Sequence, residues 1–213
     1  MLAKAFKNIA FRFSSLKVPI VDVEPFLRGQ GNCEKDCQTV AESLHKYGCL
    51  IIKDPRVNQQ ENSEFLDMME KYFAKRAADL YQGRQVADIY PNYDFQVGAT
   101  PEYTEKARTH EDLVKSYLPE NKAFTPVPPP FDAKWRYFWN IGNPVDATPN
   151  QVPVDFPEWS TVMNRWGNHM IDGCNIVAEM AALGLGLQRD TFTKLMVDGP
   201  HKLAPTGSDL TKY

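Results

Sequence analysis

Two short stretches, Val18-Pro19-Ile20-Val21-Asp22 and Gly48-Cys49-Leu50-Ile51-Ile52, carry most of the information about the fold. The first predicts a strand with a proline near its start, a position that an edge strand tolerates. The second is a glycine followed by a continuous apolar run, short enough for a strand buried on both faces. A helix is predicted between them, from about Glu34 to Tyr47, so the chain opens in the order strand, helix, strand.

The helix between these strands is predicted from signals at both ends and along one face. Glu34 and Asp36 lie in its first turn, where negative charge interacts favourably with the helix dipole. Gly48 follows the last turn, where glycine commonly ends a helix. The expected buried face consists of Cys37, Val40, Ala41 and Leu44.

A second helix and a long irregular segment are predicted downstream. The helix covers about residues 62–82, and Asn62 or Ser63 is expected to cap its first amides. Its apolar face is Phe65, Met69, Tyr72, Phe73, Ala77 and Leu80. Prolines then predict an irregular segment over about 84–156, within which the aromatic run Trp135–Ile141 indicates a strand.

The longest predicted helix covers about residues 157–185. Pro157 suits its first turn, because no helical hydrogen bond is lost there. Apolar residues follow the helical repeat at Trp159, Met163, Trp166, Met170, Cys174, Val177 and Ala181. We interpret this stripe as core, with a cofactor-binding face as the alternative. A short helix over 189–197 and an extended tail over 200–213 are expected to follow.

Composition narrows the class of protein. The chain has 213 residues, of which 43% are hydrophobic, and its net charge is -3. These values are typical of a globular protein with one core, and the charge does not favour nucleic acid binding. No apolar run approaches the roughly 18 residues of a membrane-spanning helix.

The four cysteines are expected to be free thiols. Cys33 and Cys37 are four residues apart, whereas Cys49 and Cys174 stand alone. A structural zinc site is the alternative, but zinc requires four ligands and no second close pair is present.

Residues 1–16 resemble a mitochondrial transit peptide. Lys4, Lys7 and Arg12 are basic, no acidic residue precedes Asp22, and apolar residues recur at helical spacing at Leu2, Phe6, Ile9 and Phe13. A basic amphipathic segment without acids is typical of such signals, and processing is expected after Phe13. The alternative is an amphipathic helix that binds a partner or a membrane surface.

From Lys17 onward, the order of elements resembles the N-terminal region of the isopenicillin N synthase-like iron(II)/2-oxoglutarate oxygenases. The Pro19-Ile20-Val21-Asp22 strand, the glycine-led strand at Gly48, the paired Tyr72-Phe73 and the long helix carry this resemblance. It implies an α+β fold: the N-terminal region and start of a double-stranded β-helix (jelly roll), with an incomplete barrel and a long central helix.

The resemblance also implies a chemistry, and this sequence departs from it. The family holds iron with a His-x-Asp pair and a distant histidine, and an Arg-x-Ser pair binds 2-oxoglutarate. Those residues follow the long helix, and this chain is expected to end before them. We therefore expect no catalytic residue and no cofactor in this chain. Fe(II) and 2-oxoglutarate are expected only where the catalytic half is supplied.

One alternative metal site is present in the sequence. His110 and Asp112 form a His-x-Asp, and His169 follows at a separation that the family allows. However, His110 is predicted in a polar helical turn and His169 on the long helix, whereas the family's ligands lie on barrel strands. We therefore expect that these three residues do not bind iron.

Three functions remain open. The first is a non-catalytic structural or accessory subunit of a mitochondrial assembly, with protein partners that cover the incomplete barrel. The second is the N-terminal half of an active oxygenase whose catalytic half lies in another chain or beyond Tyr213. The third is a complete small enzyme that uses His110, Asp112 and His169.

Overall fold

A computed structural model describes residues 17–31, 33–107, 128–142 and 148–212. The helices are α1 (Glu24–Leu27), α2 (Glu34–Tyr47), α3 (Gln59–Tyr81) and α4 (Trp159–Gly184). The strands are β1 (Ile20–Asp22), β2 (Ile51–Lys53), β3 (Gly98–Thr100), β4 (Trp135–Asn140), β5 (Lys202–Leu203) and β6 (Thr206–Gly207). Helices and small separate sheets alternate irregularly along the chain, which confirms the predicted α+β class.

The chain divides into two compact units. The first unit contains the described residues up to Asn58 together with His169–Gly199. The second unit contains Gln59–Asn168 and the chain from Pro200 onward. No helix among the described residues has both the length and the hydropathy needed to cross a membrane.

In the first unit, α2 follows the prediction closely. It runs from Glu34 to Tyr47, and Gly48 ends it in the left-handed conformation at φ +70°. The Gly48 amide donates a 3.0 Å hydrogen bond to the carbonyl oxygen of Leu44. Cys37, Val40 and Ala41 are buried as predicted. The signals at the ends and on the face of this helix are local, and they are sufficient to define it.

The strands of the first unit are less buried than predicted. β1 and β2 pair in parallel, with Ile20 beside Ile51 and Val21 beside Ile52. Val21 is buried, but Ile20 is 70% exposed and Ile51 is 51% exposed. The prediction that the second strand is buried on both faces was therefore wrong. Successive side chains of a strand point to opposite faces, and the core of this unit covers only the face of Val21 and Ile52.

In the second unit, β4 is the centre of a small antiparallel sheet. β3 pairs with one edge of β4, and β5 and β6 pair with the other. Arg136 is thereby flanked by Thr100 on one side and by Thr206 on the other. The predicted strand at Trp135–Ile141 is confirmed to within one residue. The segment 84–156 is more ordered than predicted, since it also contributes β3 and a 3-10 helix at Pro91–Tyr93.

The helix α3 begins earlier than predicted. Because its first residue is Gln59, Asn62 and Ser63 lie inside the helix, and the prediction that one of them caps it was wrong. Phe65, Met68, Met69, Tyr72 and Phe73 are buried in one core with Trp135, Tyr137 and Trp139 of β4. The charged Arg76 is buried on the same helix face, whereas Leu80 is 40% exposed.

The helix α4 matches its predicted range but not its whole predicted stripe. Trp159 and Met163 are fully buried, yet Met170 and Cys174 are exposed. The buried line passes instead through Gly173, where an added Cβ would already contact Ile52 at 3.5 Å. Successive residues of an α-helix are rotated by about 100°, so Cys174, the residue after Gly173, lies off this buried line.

The short helix predicted over 189–197 is only a 3-10 turn, Thr193–Leu195. Leu195 is 82% exposed and Val197 is 68% exposed. A short helix depends on packing of its apolar face, and here Phe192 packs against the core whereas Leu195 and Val197 do not.

Candidate functional site

The face of β4 opposite the aromatic core carries the strongest candidate for ligand contact. Arg136 and Phe138 alternate with the buried Trp135, Tyr137 and Trp139 and are themselves half-buried. The Arg136 guanidinium lies 5.4 Å from the centre of the Phe138 ring. Lys202 on β5 places its Nζ 5.7 Å from the same ring. An aromatic ring is thus accompanied by two cations on one face of the sheet.

The segments on either side of β3 hold these side chains in place. Arg136 Nη1 donates a 3.0 Å hydrogen bond to Glu105 Oε1. Lys202 Nζ donates a 3.4 Å bond to the carbonyl oxygen of Gln96. Thr100, the neighbour of Arg136 on β3, is almost fully buried and donates its hydroxyl to the carbonyl of Phe95 at 2.7 Å. Arg136 is therefore already paired with a carboxylate. A carboxylate ligand on this face would be bound by Lys202, with an apolar group against Phe138.

The end of β4 is held by a pair of asparagines. Asn150 Oδ1 accepts a 2.7 Å bond from the Asn140 amide, and Asn150 Nδ2 donates a 2.6 Å bond to the Asn140 carbonyl. The Asn140 side chain in turn donates to the carbonyl of Thr148 at 2.7 Å. These bonds replace a strand partner, so the last residue of β4 keeps its extended geometry beside Lys202.

Behind the sheet, one buried arginine connects three segments of the second unit. Arg76 donates from Nε to Asp88 at 2.7 Å and from its two terminal nitrogens to Asp155 at 3.1 and 2.6 Å. Tyr72 donates its hydroxyl to the same Asp88 oxygen at 3.1 Å. Arg76 is only 8% exposed, so the network is buried. Its hydrogen bonds join α3 to the two irregular segments that contain Asp88 and Asp155.

The network also shifts proton affinities. Hydrogen bonds from Arg76, and a further one from Lys75, hold the pKa of Asp155 well below its usual range. Burial raises the pKa of Tyr72, and the neighbouring Asp88 raises it further. Burial, and to a lesser extent Asp88, also raise the pKa of Tyr137. The tyrosines therefore stay neutral and Asp155 stays ionised, which suits a structural role rather than proton transfer.

The alternative metal site is only partly within the described residues. His169 lies half-buried on α4, close enough to Asp54 to help lower the pKa of that carboxyl. The larger cause is Arg56, which donates to Asp54 at 2.9 and 2.6 Å. Asp54 is therefore already neutralised by an arginine. His110 and Asp112 lie outside the described residues, so the expectation that they do not bind iron with His169 stays a prediction.

The donor set of the described residues does not fit an iron site. Across 17–31, 33–107, 128–142 and 148–212, no three histidine, cysteine, aspartate or glutamate side chains are grouped so that they could hold a metal ion. The four cysteines are free thiols, as predicted. The targeting residues Lys4, Lys7, Arg12 and Phe13 lie outside the described residues.

Comparison with solved structures identifies the fold. A putative 2OG-Fe(II) oxygenase family protein from Caulobacter crescentus matches with a TM-score of 0.61 and 18% identity, over 89% of this chain and 55% of its own. A full-length Neurospora crassa protein in complex with alpha-KG matches with a TM-score of 0.60 and 16% identity, over 89% and 54%. JOX2 in complex with 2OG, Fe and JA matches with a TM-score of 0.57 and 12% identity, over 89% and 46%.

These similarities define a class of fold. Over about nine-tenths of its length, the chain has the fold found in Fe(II)/2-oxoglutarate oxygenases, as the predicted resemblance implied. No protein-family model matches the sequence, and no curated protein does. The chain spans about half the length of the oxygenase chains that it matches.

Sequence reasoning missed both Arg76 and the pairing of Arg136 with Phe138 and Lys202. Arg76 could have been found, because it stands at a helical spacing from Tyr72 and Phe73 on the apolar face of α3. The second group could not, since Lys202 reaches Phe138 only through the pairing of β5 with β4.

Proposed function

We propose that this chain is the scaffold half of an Fe(II)/2-oxoglutarate oxygenase fold, in which the sheet face with Arg136, Phe138 and Lys202 is turned towards the substrate side. The start of a jelly-roll barrel would be formed by β3 to β6. The iron ligands would come from residues outside the described ranges or from another chain. When bound, the iron and 2-oxoglutarate would supply the oxidative chemistry.

The observation that supports this proposal best is the two-sided construction of the sheet. One face of β4 is closed by the aromatic core, with Trp135, Tyr137 and Trp139 each at most 3% exposed. The other face retains half-buried cations and an aromatic ring. A barrel needs one face that packs against supporting helices and one that faces its interior. The oxygenase structures that match the chain support the fold on which this proposal rests.

The second candidate function is a non-catalytic accessory subunit of a mitochondrial assembly. It is supported by the adjacent Ile20 and Ile51, which are exposed on one face of a two-stranded sheet. A paired apolar surface of this kind, on strands whose outer edges have no strand partner among the described residues, favours a protein partner. The transit-like sequence of residues 1–16 would direct the chain to the mitochondrion.

One experiment separates the two candidates. The chain would be isolated with its partners from its natural source, and iron content and succinate formation from 2-oxoglutarate would be measured. Iron-dependent succinate formation is expected for the scaffold of an active oxygenase. An intact assembly without iron or turnover identifies the accessory subunit. A monomer that is active alone and loses iron in His110→Ala or Asp112→Ala contradicts both candidates.

A further inference from the structure

A groove of about 820 Å³ lies in the second unit, between α3 and the segment that follows β6. One face of α3 lines it from Leu66 to Tyr81, and residues 206–212 supply most of the remaining lining. The volume falls within the range of roughly 300–1,000 Å³ that is typical of small-molecule sites. The groove is therefore large enough to hold a small organic molecule.

The middle of the groove is apolar. Phe73, Ala74, Ala77 and Ala78 follow one another at helical spacing on α3 and line this part. Ala74 and Ala78 are exposed there, and neither side chain can form a hydrogen bond with water. A ligand with an apolar body would cover these side chains and remove apolar surface from water, which is favourable in proportion to the area covered.

One end of the groove carries more negative than positive charge. Glu102 and Asp209 share a single cation, Lys212, whose Nζ lies 3.5 Å from Glu102 and 3.9 Å from Asp209. Tyr81 also donates its hydroxyl to Glu102. Two carboxylates therefore stand beside one ammonium group at this end.

The other end of the groove is marked by Glu70. It stands eleven residues before Tyr81 on α3, about 16 Å along the helix axis. Glu70 lines the groove, is exposed, and forms no hydrogen bond or ion pair with another described residue. The described lining thus has three carboxylates and one cation, a net charge of -2. An anion would be repelled, and a neutral molecule would leave Glu70 without a counter-charge.

We propose that this groove binds a hydrophobic amine, a small molecule with one ammonium group that pairs with Glu70 and an apolar body that covers the alanines of α3. Charge complementarity favours the ammonium group over neutral and anionic groups. The ammonium group donates hydrogen bonds, and the Glu70 carboxylate accepts them. The site is separate from the sheet face that carries Arg136 and Phe138, and it does not rest on the proposed oxygenase role.

Two probes of similar length separate the charge from the apolar contact: 4-phenylbutylamine and 4-phenylbutanol. The full chain, labelled with ¹³C in its alanine methyl groups, is titrated with each by NMR at pH 7, where the amine is protonated. The Ala78 signal, assigned by its loss in Ala78→Ser, reports binding in the groove. We expect both probes to move this signal, and the amine to bind roughly threefold to fivefold more tightly at low salt. High salt should reduce that difference, because it screens exposed charges.

The variant Glu70→Gln tests the charged contact. It should remove the preference for the amine and leave the affinity for 4-phenylbutanol unchanged. Asp67→Asn is the matched control, because it removes a carboxylate from an exposed position of α3 that does not line the groove. It should change the affinity for the amine by less than about twofold, since solvent screens the distant charge.

Two further variants locate the binding. Ala74→Phe places a ring in the middle of the groove and should weaken both probes. Lys71→Phe places the same ring at an exposed position of α3 outside the groove and should leave the affinity for 4-phenylbutanol unchanged.

Three results would overturn the proposal. The first is an amine that fails to move the Ala78 signal or binds no more tightly than the alcohol. The second is a preference for the amine that survives in a folded Glu70→Gln variant. The third is a shift of the Ala78 signal on dilution of the chain alone, because a second copy of the chain would then occupy the groove.

Discussion

The two units of the chain stabilise their cores by different means. The first unit packs aliphatic side chains such as Val40, Ile176 and Met180, and α4 lies so close to α2 that no Cβ fits at Gly184. The second unit packs aromatic rings, with Tyr72 4.6 Å from Trp159 between ring centres, and it buries the charged Arg76 beside them. The stability of the first unit should thus depend mainly on the size of its side chains, and that of the second unit on its buried charges.

Removal of the buried arginine should have the largest effect. In Arg76→Met, Asp88 and Asp155 lose their shared partner, and Asp88 has a side chain only 8% exposed. We expect the free energy of unfolding, measured by urea denaturation, to fall by about 3–5 kcal/mol. Arg84→Met is the control, because Arg84 pairs with Asp79 but is 54% exposed, and it should cost at most about 1 kcal/mol. Equal effects of the two variants would contradict the charge-based account of the second core.

Adding a methyl group at a glycine of α4 tests how tightly the first core is packed. In Gly184→Ala, the added Cβ would lie 2.1 Å from the carbonyl oxygen of Cys37, a backbone atom that cannot move without shifting α2. We expect a loss of about 1–3 kcal/mol in the free energy of unfolding. Gly173→Ala on the same helix meets only Ile52 Cδ1 at 3.5 Å and should stabilise by about 0.5–1 kcal/mol. If Gly184→Ala and Gly173→Ala changed the free energy of unfolding in the same direction, the close packing of α2 and α4 at Gly184 would be contradicted.

Acid should weaken the second unit through Asp155. Because the pKa of Asp155 in the folded protein lies below its ordinary value of 3.8, its carboxylate contributes stability above that pH. This contribution is lost as the pH falls below about 4 towards the folded value. Thermal unfolding should therefore show a smaller decrease in Tm between pH 5 and pH 2 for Asp155→Asn than for the wild type. A wild-type curve with the same slope as the variant would disprove the contribution.

The smallest effect on stability is expected at the exposed strand pair of the first unit. Ile51→Thr keeps a β-branched residue beside Ile20 but makes it polar, so the free energy of unfolding should change by no more than about 0.5 kcal/mol. Association of the chain, measured by light scattering, should decrease. If the wild type is a stable monomer and Ile51→Thr behaves identically, the Ile20–Ile51 surface does not bind a partner.

The sequence predicts those parts of the fold whose causes are local. The helix α2 is defined by Glu34, Gly48 and the apolar residues between them, and these lie within one short stretch. The strand β4 is similarly marked by its aromatic residues from Trp135 onward. In both cases the prediction agrees with the structure to within one residue.

The remaining features arise from contacts between distant segments. Arg76 meets Asp88 and Asp155, which are 12 and 79 residues away, and nothing near Arg76 in the sequence identifies them. The exposure of Ile51 depends on which face of a two-stranded sheet is covered, and an apolar run does not reveal this. For the candidate site, Arg136 and Lys202 become neighbours of Phe138 only after β5 pairs with β4.

The central claim is that the described residues form a scaffold and that none of them ligates iron. Its most direct test is the iron stoichiometry of the full chain and of His169→Gln, each loaded anaerobically with Fe(II) and measured by mass spectrometry after desalting. His169 is the one described residue of the alternative site formed with His110 and Asp112. We predict the same iron content for both proteins. One iron per wild-type chain together with its loss in His169→Gln would contradict the claim.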